Sequence, residues 1–268
     1  MLMMGLELLD NPALLTTLFF PRRADPSFDG SNGIYDGTLP VEDGIVLGYR
    51  LYAGKNLSPV VVYFHGNGEI ATDYDGVYPE FQSIGLALLV IDFRGYGWST
   101  GQPTMTTLLN DVEAVHKALP LILERGGLAG RSCYLMGRSL GSGPAIHLAS
   151  SYPEAFTGLI IESGFADVTP LLARRGFPIE ILAGQPDPVG NVRKIASLAM
   201  PLLVIHGEED RLLPVANGQQ LYDSSNADIK RISRIRRAGH NDLMWVGRDQ
   251  YFSAIADFIR LTQASDED

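Results

Sequence analysis

The chain has 268 residues, 46% of them hydrophobic, and a formal net charge of −10. That length buries a substantial core as one large domain or two small ones. The acidic balance argues against nucleic acid as a partner, which needs clustered Lys and Arg, and a lone cysteine, Cys133, excludes an intramolecular disulfide.

The chain opens on "MLMMGLELLDNPALLTTLFFPRR". This stretch lacks a positive n-region and a small-residue cleavage site, and Glu7, Asp10 and Pro12 interrupt it too early for a membrane span. It reads as a helical segment over residues 1–24, packed on the domain. Peripheral membrane contact, or gating of a site, is the sharper alternative. "IVLGYRLYA" (Ile45 to Ala53) follows as an antiparallel edge strand. Five apolar runs then come in order: Val60–Gly66, Leu86–Gly95, Cys133–Gly137, Gly158–Ser163 and Pro201–Gly207. Near-continuous apolar strands of this kind suit a parallel sheet covered by helices on both faces.

Between the strands lie helical patterns. Thr104–Arg125 is amphipathic, with a break or kink expected at Pro120. Another helix follows Ser139, and Tyr251–Leu261 closes the chain. "KRISRIRR" (Lys230 to Arg237) alternates basic residues with Ile and reads as a strand with one solvated face. The alternation predicts an α/β fold, a mostly parallel, doubly wound sheet with right-handed crossovers. There are no internal repeats, so residues 1–268 read as one domain. Residues 164–200 look irregular and are expected to form a lid insertion beyond the C-terminal ends of the strands, where ligands bind. Its Leu171, Leu172, Phe177, Ile179, Ile181 and Leu182 suit either an apolar acyl pocket or lid packing.

"YLMGRSLGSGPA" (Tyr134 to Ala145) places Ser139 in a G-x-S-x-G pattern between a strand and a helix. That context forces a sharp turn that presents a serine hydroxyl, with small residues required at Gly137 and Gly141. A serine needs a base, and the base needs a carboxylate. Of five histidines, His240 is the one in a late loop downstream of a candidate acid. "VIHGEEDRLLP" offers Asp210 as that acid, with Glu162 as geometric rival; Asp242 reads as a helix cap. The backbone N–H of Leu140 and that of Asn67, with Gly68 next, are the candidate oxyanion donors, although "HGNG" also reads as a plain tight turn. Asp92 and Arg94 read as architectural, and Arg138 as a partner for a nearby carboxylate such as Asp92.

His65–Gly68, "DFRGYGWSTG" (92–101), "GRSLGSGPA" (137–145), "HGEED" (206–210) followed by Pro214, and "GHND" (239–242) occur in this order. With them the chain resembles the α/β-hydrolase superfamily. It is most similar to the small-lid serine hydrolases that include protein depalmitoylating thioesterases and related bacterial carboxylesterases. The resemblance implies an α/β-hydrolase fold, a Ser139–His240–Asp210 triad, and an oxyanion hole from the Asn67 and Leu140 amides. The cysteine-rich N-terminus of the animal depalmitoylases is not matched here, which leaves acyl ester or thioester hydrolysis as the broader expectation. A peptidase or amidase on the same triad, with Glu208–Glu209 anchoring a substrate amine, is the alternative. A non-catalytic ligand-binding protein is the third. No metal-binding spacing or nucleotide fingerprint is present, so no cofactor is implied. The single thiol and the lack of a targeting signal suggest a cytoplasmic setting.

Overall fold

A computed structural model describes residues 5–27, 30–54, 58–174, 176, 178–182 and 184–265. Its strands are β1 (Ile34–Glu42), β2 (Ile45–Tyr52), β3 (Val60–Phe64), β4 (Ala87–Ile91), β5 (Cys133–Arg138), β6 (Gly158–Glu162), β7 (Leu202–Gly207) and β8 (Lys230–Ile235). They form a single sheet in the order β1-β2-β4-β3-β5-β6-β7-β8. From β4 to β8 every pairing is parallel, while β1 and β2 are antiparallel. The order reverses around β3, as a doubly wound sheet requires.

Side-chain alternation along each strand feeds two separate cores. In β3, Val60, Val62 and Phe64 face one cluster, and Val61 and Tyr63 face the other. The first core is closed by the helices α3 (Met105–Asn110), α4 (Val112–Arg125), α5 (Ser142–Ser151) and α8 (Ala216–Ser224). The N-terminal helix α1 (Pro12–Leu18) adds Leu14 and Leu18 to this side, joined by Leu6, Leu9 and Phe19. The second core is closed by α2 (Tyr78–Ser83), α9 (Leu243–Val246) and α10 (Arg248–Ser265). β8 is half solvated, as its alternation predicts.

Three expectations need correction. Ile45–Ala53 is not the edge: β1 lies outside it. Asp36, Gly37 and Pro40 break the apolar pattern of β1, yet each has a tertiary reason. Asp36 is buried against Arg50 (Nη2 to Oδ2, 2.6 Å). Gly37 lies under the Tyr49 ring, and its carbonyl accepts from Trp98 Nε1 at 2.8 Å. Pro40 is tolerated because the strand is an edge. Second, the helical stretch after Thr104 breaks at Asp111, whose carboxylate accepts from Arg94 Nε and Nη2, both at 2.7 Å. Pro120 stays inside α4 on its exposed face, where water can satisfy the carbonyl it leaves free. Third, residues 164–200 are not uniformly irregular. They contain α6 (Thr169–Arg174) and α7 (Asn191–Ala196), and α7 packs on α5 and α8 as part of the scaffold.

Candidate active site

The apolar run of β5 ends at the turn Ser139–Gly141, and α5 begins directly after it. Ser139 has φ +50°, a left-handed conformation that an L-residue adopts only when its surroundings impose it. The flanking glycines make room for it. A β-carbon on Gly141 would run into the Phe64 carbonyl, and one on Gly137 would meet the Gly141 carbonyl and lie 2.7 Å from Ala145 Cβ. Ser139 is thereby held between β5 and α5, its hydroxyl at the sheet's C-terminal edge.

His240 lies 2.8 Å from it (Nε2 to Ser139 Oγ), and its Nδ1 lies 2.6 Å from Asp210 Oδ2. Asp210 sits in the loop after β7, where its other oxygen accepts from the Leu212 and Leu213 amides at 2.9 and 2.8 Å. Burial opposes its charge, but hydrogen bonds from His206 and His240, the charge of His240 and the Leu213 amide outweigh it and hold the carboxyl below the usual range. An ionised Asp210 requires the proton on His240 Nδ1, which leaves Nε2 to accept from the Ser139 hydroxyl. The three sequence-predicted residues therefore form one continuous relay.

Both ring nitrogens of His240 are committed, so the rival acid Glu162 has no place in that relay. Instead Glu162 accepts from the hydroxyls of Tyr63 (3.0 Å) and Tyr251 (2.8 Å) and from Arg138 Nε (3.1 Å). Asp242 shapes the histidine loop: Gly239 N donates to its Oδ1 at 2.6 Å. His65 is buried 3.3 Å from Asp92, and His116 stacks on Tyr152 with centroids 3.8 Å apart. Burial and the nearby Lys194 push His147 down to about 4.

Asn67 and Leu140 line the same cavity as Ser139 and His240, a space of about 140 Å³. The Gly66 amide is committed to Glu69 Oε2 at 2.7 Å. The remaining walls are Leu18, Phe20, Leu171, Leu212, Arg138 and Asn241. Of the lid residues named from sequence, Leu171 reaches the cavity. Leu172 and Leu182 are buried in the main core, and Ile179 is partly exposed. Phe177 and the Ile181 side chain lie outside the described residues. Glu208 and Glu209 are exposed and do not line the cavity.

Arg138 pairs with Glu69 and Glu162 rather than with Asp92. It also donates to Asn241 Oδ1 at 2.9 Å and to the His240 carbonyl at 3.2 Å. Asp92 instead accepts from the Ala71 amide at 2.8 Å. Sequence reading missed Glu69 and Asn241, and it raised gating by the N-terminal segment only as an alternative, without naming Leu18 or Phe20. Glu69, three residues past Gly66 in the glycine turn, carried a usable signal; Leu18 and Phe20 carried none, because only folding brings them to Ser139.

A family model described as serine aminopeptidase, S33, matches residues 55–185. The human alpha/beta hydrolase domain-containing protein 17B is 29% identical over 210 residues, 76% of this chain and 67% of that protein; its Xenopus tropicalis counterpart is 28% identical over the same shares. Among solved structures, an esterase of Pyrococcus furiosus is similar with a TM-score of 0.70 at 18% identity, over 91% of this chain and 97% of that one. A putative lipase of Acinetobacter baumannii is similar with a TM-score of 0.67 at 15% identity, over 87% and 93% of the two chains.

Proposed function

The chain belongs to the α/β-hydrolase superfamily, and from that premise we propose that it is a serine hydrolase cleaving acyl esters or thioesters through an acyl-enzyme. The observation that carries this reading is the unbroken Asp210–His240–Ser139 hydrogen-bond relay at a cavity lined by both apolar and polar side chains.

In this mechanism Ser139 Oγ attacks the acyl carbonyl carbon while its proton passes to His240 Nε2. Asp210 stabilises the imidazolium that forms and keeps the ring in register. The carbonyl oxygen becomes an oxyanion and takes hydrogen bonds from the Asn67 and Leu140 amides, each donor of this kind contributing about 3–4 kcal/mol to the transition state. The tetrahedral intermediate then collapses. The bond to the leaving group breaks, and His240 returns its proton to the departing alkoxide or thiolate. Water enters, gives a proton to His240 Nε2 and attacks the acyl-serine. Collapse of this second intermediate frees the acid and restores the Ser139 hydroxyl.

The family match described as a serine aminopeptidase supports amide hydrolysis as a second reading. Against it, Glu208 and Glu209 stand outside the cavity, so the amine anchor that reading used is not at the site. The buried set Leu6, Leu9, Leu14, Leu18 and Phe19 favours a docked N-terminal segment, with Leu8 and Phe20 as its exposed large apolar side chains for any peripheral membrane contact. No helix among the described residues is long and apolar enough to cross a membrane. A buried free thiol at Cys133 fits a cytoplasmic setting.

The test is hydrolysis of p-nitrophenyl esters from acetyl to palmitoyl, together with fluorophosphonate labelling. Wild type is expected to be labelled and active, and Ser139→Ala to lose both. Activity retained in Ser139→Ala overturns the reading.

A further inference from the structure

Residues Leu18 to Arg22 run beside the candidate catalytic cavity, with Leu18 and Phe20 in its wall. Leu18 is buried, Phe20 is 46% exposed, and both line the cavity beside Ser139 and His240. Their backbone is gripped from the oxyanion loop by one side chain. Asn67 Nδ2 donates to the Leu18 carbonyl at 2.5 Å, and the Phe20 amide donates to Asn67 Oδ1 at 3.0 Å. Tyr96 closes the knot: its hydroxyl donates to Asn67 Oδ1 at 2.7 Å and lies 3.0 Å from the Phe20 nitrogen, which also donates to it. Two residues on, Arg22 pairs with Asp73 at 2.6 Å and donates to the Gly68 carbonyl at 3.1 Å.

An amide side chain that joins two backbone groups far away in sequence serves placement. Here it ties the segment that walls the cavity to the residue whose own amide is assigned to the oxyanion. The cavity is also small. At about 140 Å³ it falls well below the space of ~300 Å³ or more that drug-sized ligands occupy. A short acyl group fits inside the wall, whereas a long one extends to the exposed rim, where Phe20 (46% exposed) is the most exposed apolar wall residue, ahead of Leu212.

We infer that Leu18–Phe20 is the wall that sets acyl chain length, and that the Asn67 side chain is the latch holding this wall in register with the oxyanion loop. The inference rests on the serine-hydrolase reading above and adds the determinant of its substrate class, short-chain acyl esters.

The experiment compares kcat/KM for p-nitrophenyl octanoate and acetate in the full chain, with fluorophosphonate labelling as the independent check on Ser139. Wild type is expected to favour acetate. The octanoate-to-acetate ratio is expected to rise about tenfold in Phe20→Ala, and to fall in Phe20→Trp, as adding or removing pocket volume does. Asn67→Ala keeps its backbone amide and is expected to raise the ratio as Phe20→Ala does, a change in selectivity that simple loss of stability does not produce. An unchanged ratio in both Phe20 variants of a labelled enzyme overturns the wall. A shift with Phe20 but none with Asn67→Ala overturns the latch. Absence of labelling in the wild type overturns the hydrolase reading itself, and the wall with it.

Discussion

Arg138 precedes the strained Ser139 and is the residue on which the site's loops converge. Its guanidinium reaches the glycine turn after β3 through Glu69, the end of β6 through Glu162, and the histidine loop through Asn241 and the His240 carbonyl. Lysine keeps the charge but offers a point donor in place of a planar fork. Arg138→Lys is therefore expected to lower kcat by about 10- to 100-fold with KM little changed, because a small displacement of the reacting groups is costly; steady-state kinetics beside a circular dichroism spectrum checks this. Asp210→Asn removes the acceptor that fixes the His240 tautomer and is expected to reduce kcat by about 10⁴-fold. Asp210 is held below the usual carboxylate range in the folded chain. Its contribution to stability is thus present above the unfolded carboxylate's pKa of about 4 and is lost as pH falls below that.

Two elements, α5 and α7, meet behind the elbow, and a titratable pair lies between them. Burial, followed by the charge of Lys194, pushes His147 down to about 4, and burial pushes Lys194 down to about 8. An unfolded chain takes up the histidine proton near pH 6.5, while the folded chain resists until about 4. Between those values the unfolded state binds more protons, so stability declines as pH drops from 6.5 and levels off below 4. After discounting for partial exposure the effect is about 2 kcal/mol. Urea midpoints at pH 7 and pH 5 are expected to differ less in His147→Gln than in wild type; equal differences would remove His147 as the source. The six-residue length of α7 explains why sequence periodicity did not reveal it, since fewer than two turns give too few repeats to separate from a loop.

At the scale of the whole molecule, the N-terminal segment belongs to the main core. Leu9 is fully buried in the cluster that also holds β3 and α4 residues. Leu9→Ala is expected to cost about 2–5 kcal/mol, seen in calorimetry as one transition at lower temperature. Two separate transitions would show instead that the segment melts alone. The parallel strands and the elbow were legible in the sequence because each rests on local chemistry, whereas Asp210 and His240 were named from the chain order expected on such a fold. A strand buried on both faces must be apolar throughout, and a strand-to-helix turn of this sharpness needs glycine at Gly137 and Gly141. β1 was not legible, because its Asp36 is paid for by Arg50, a partner on another strand. Nor were the partners of Arg138, since several carboxylates carry the right charge and only the fold selects Glu69 and Glu162 over Asp92. The sequence by itself determined the parallel strands and the elbow, and it named Ser139, Asp210 and His240 as candidates. Tertiary structure alone decided the cavity walls, because contacts such as Phe20 with Asn67 join segments 47 residues apart and leave no periodic trace in either.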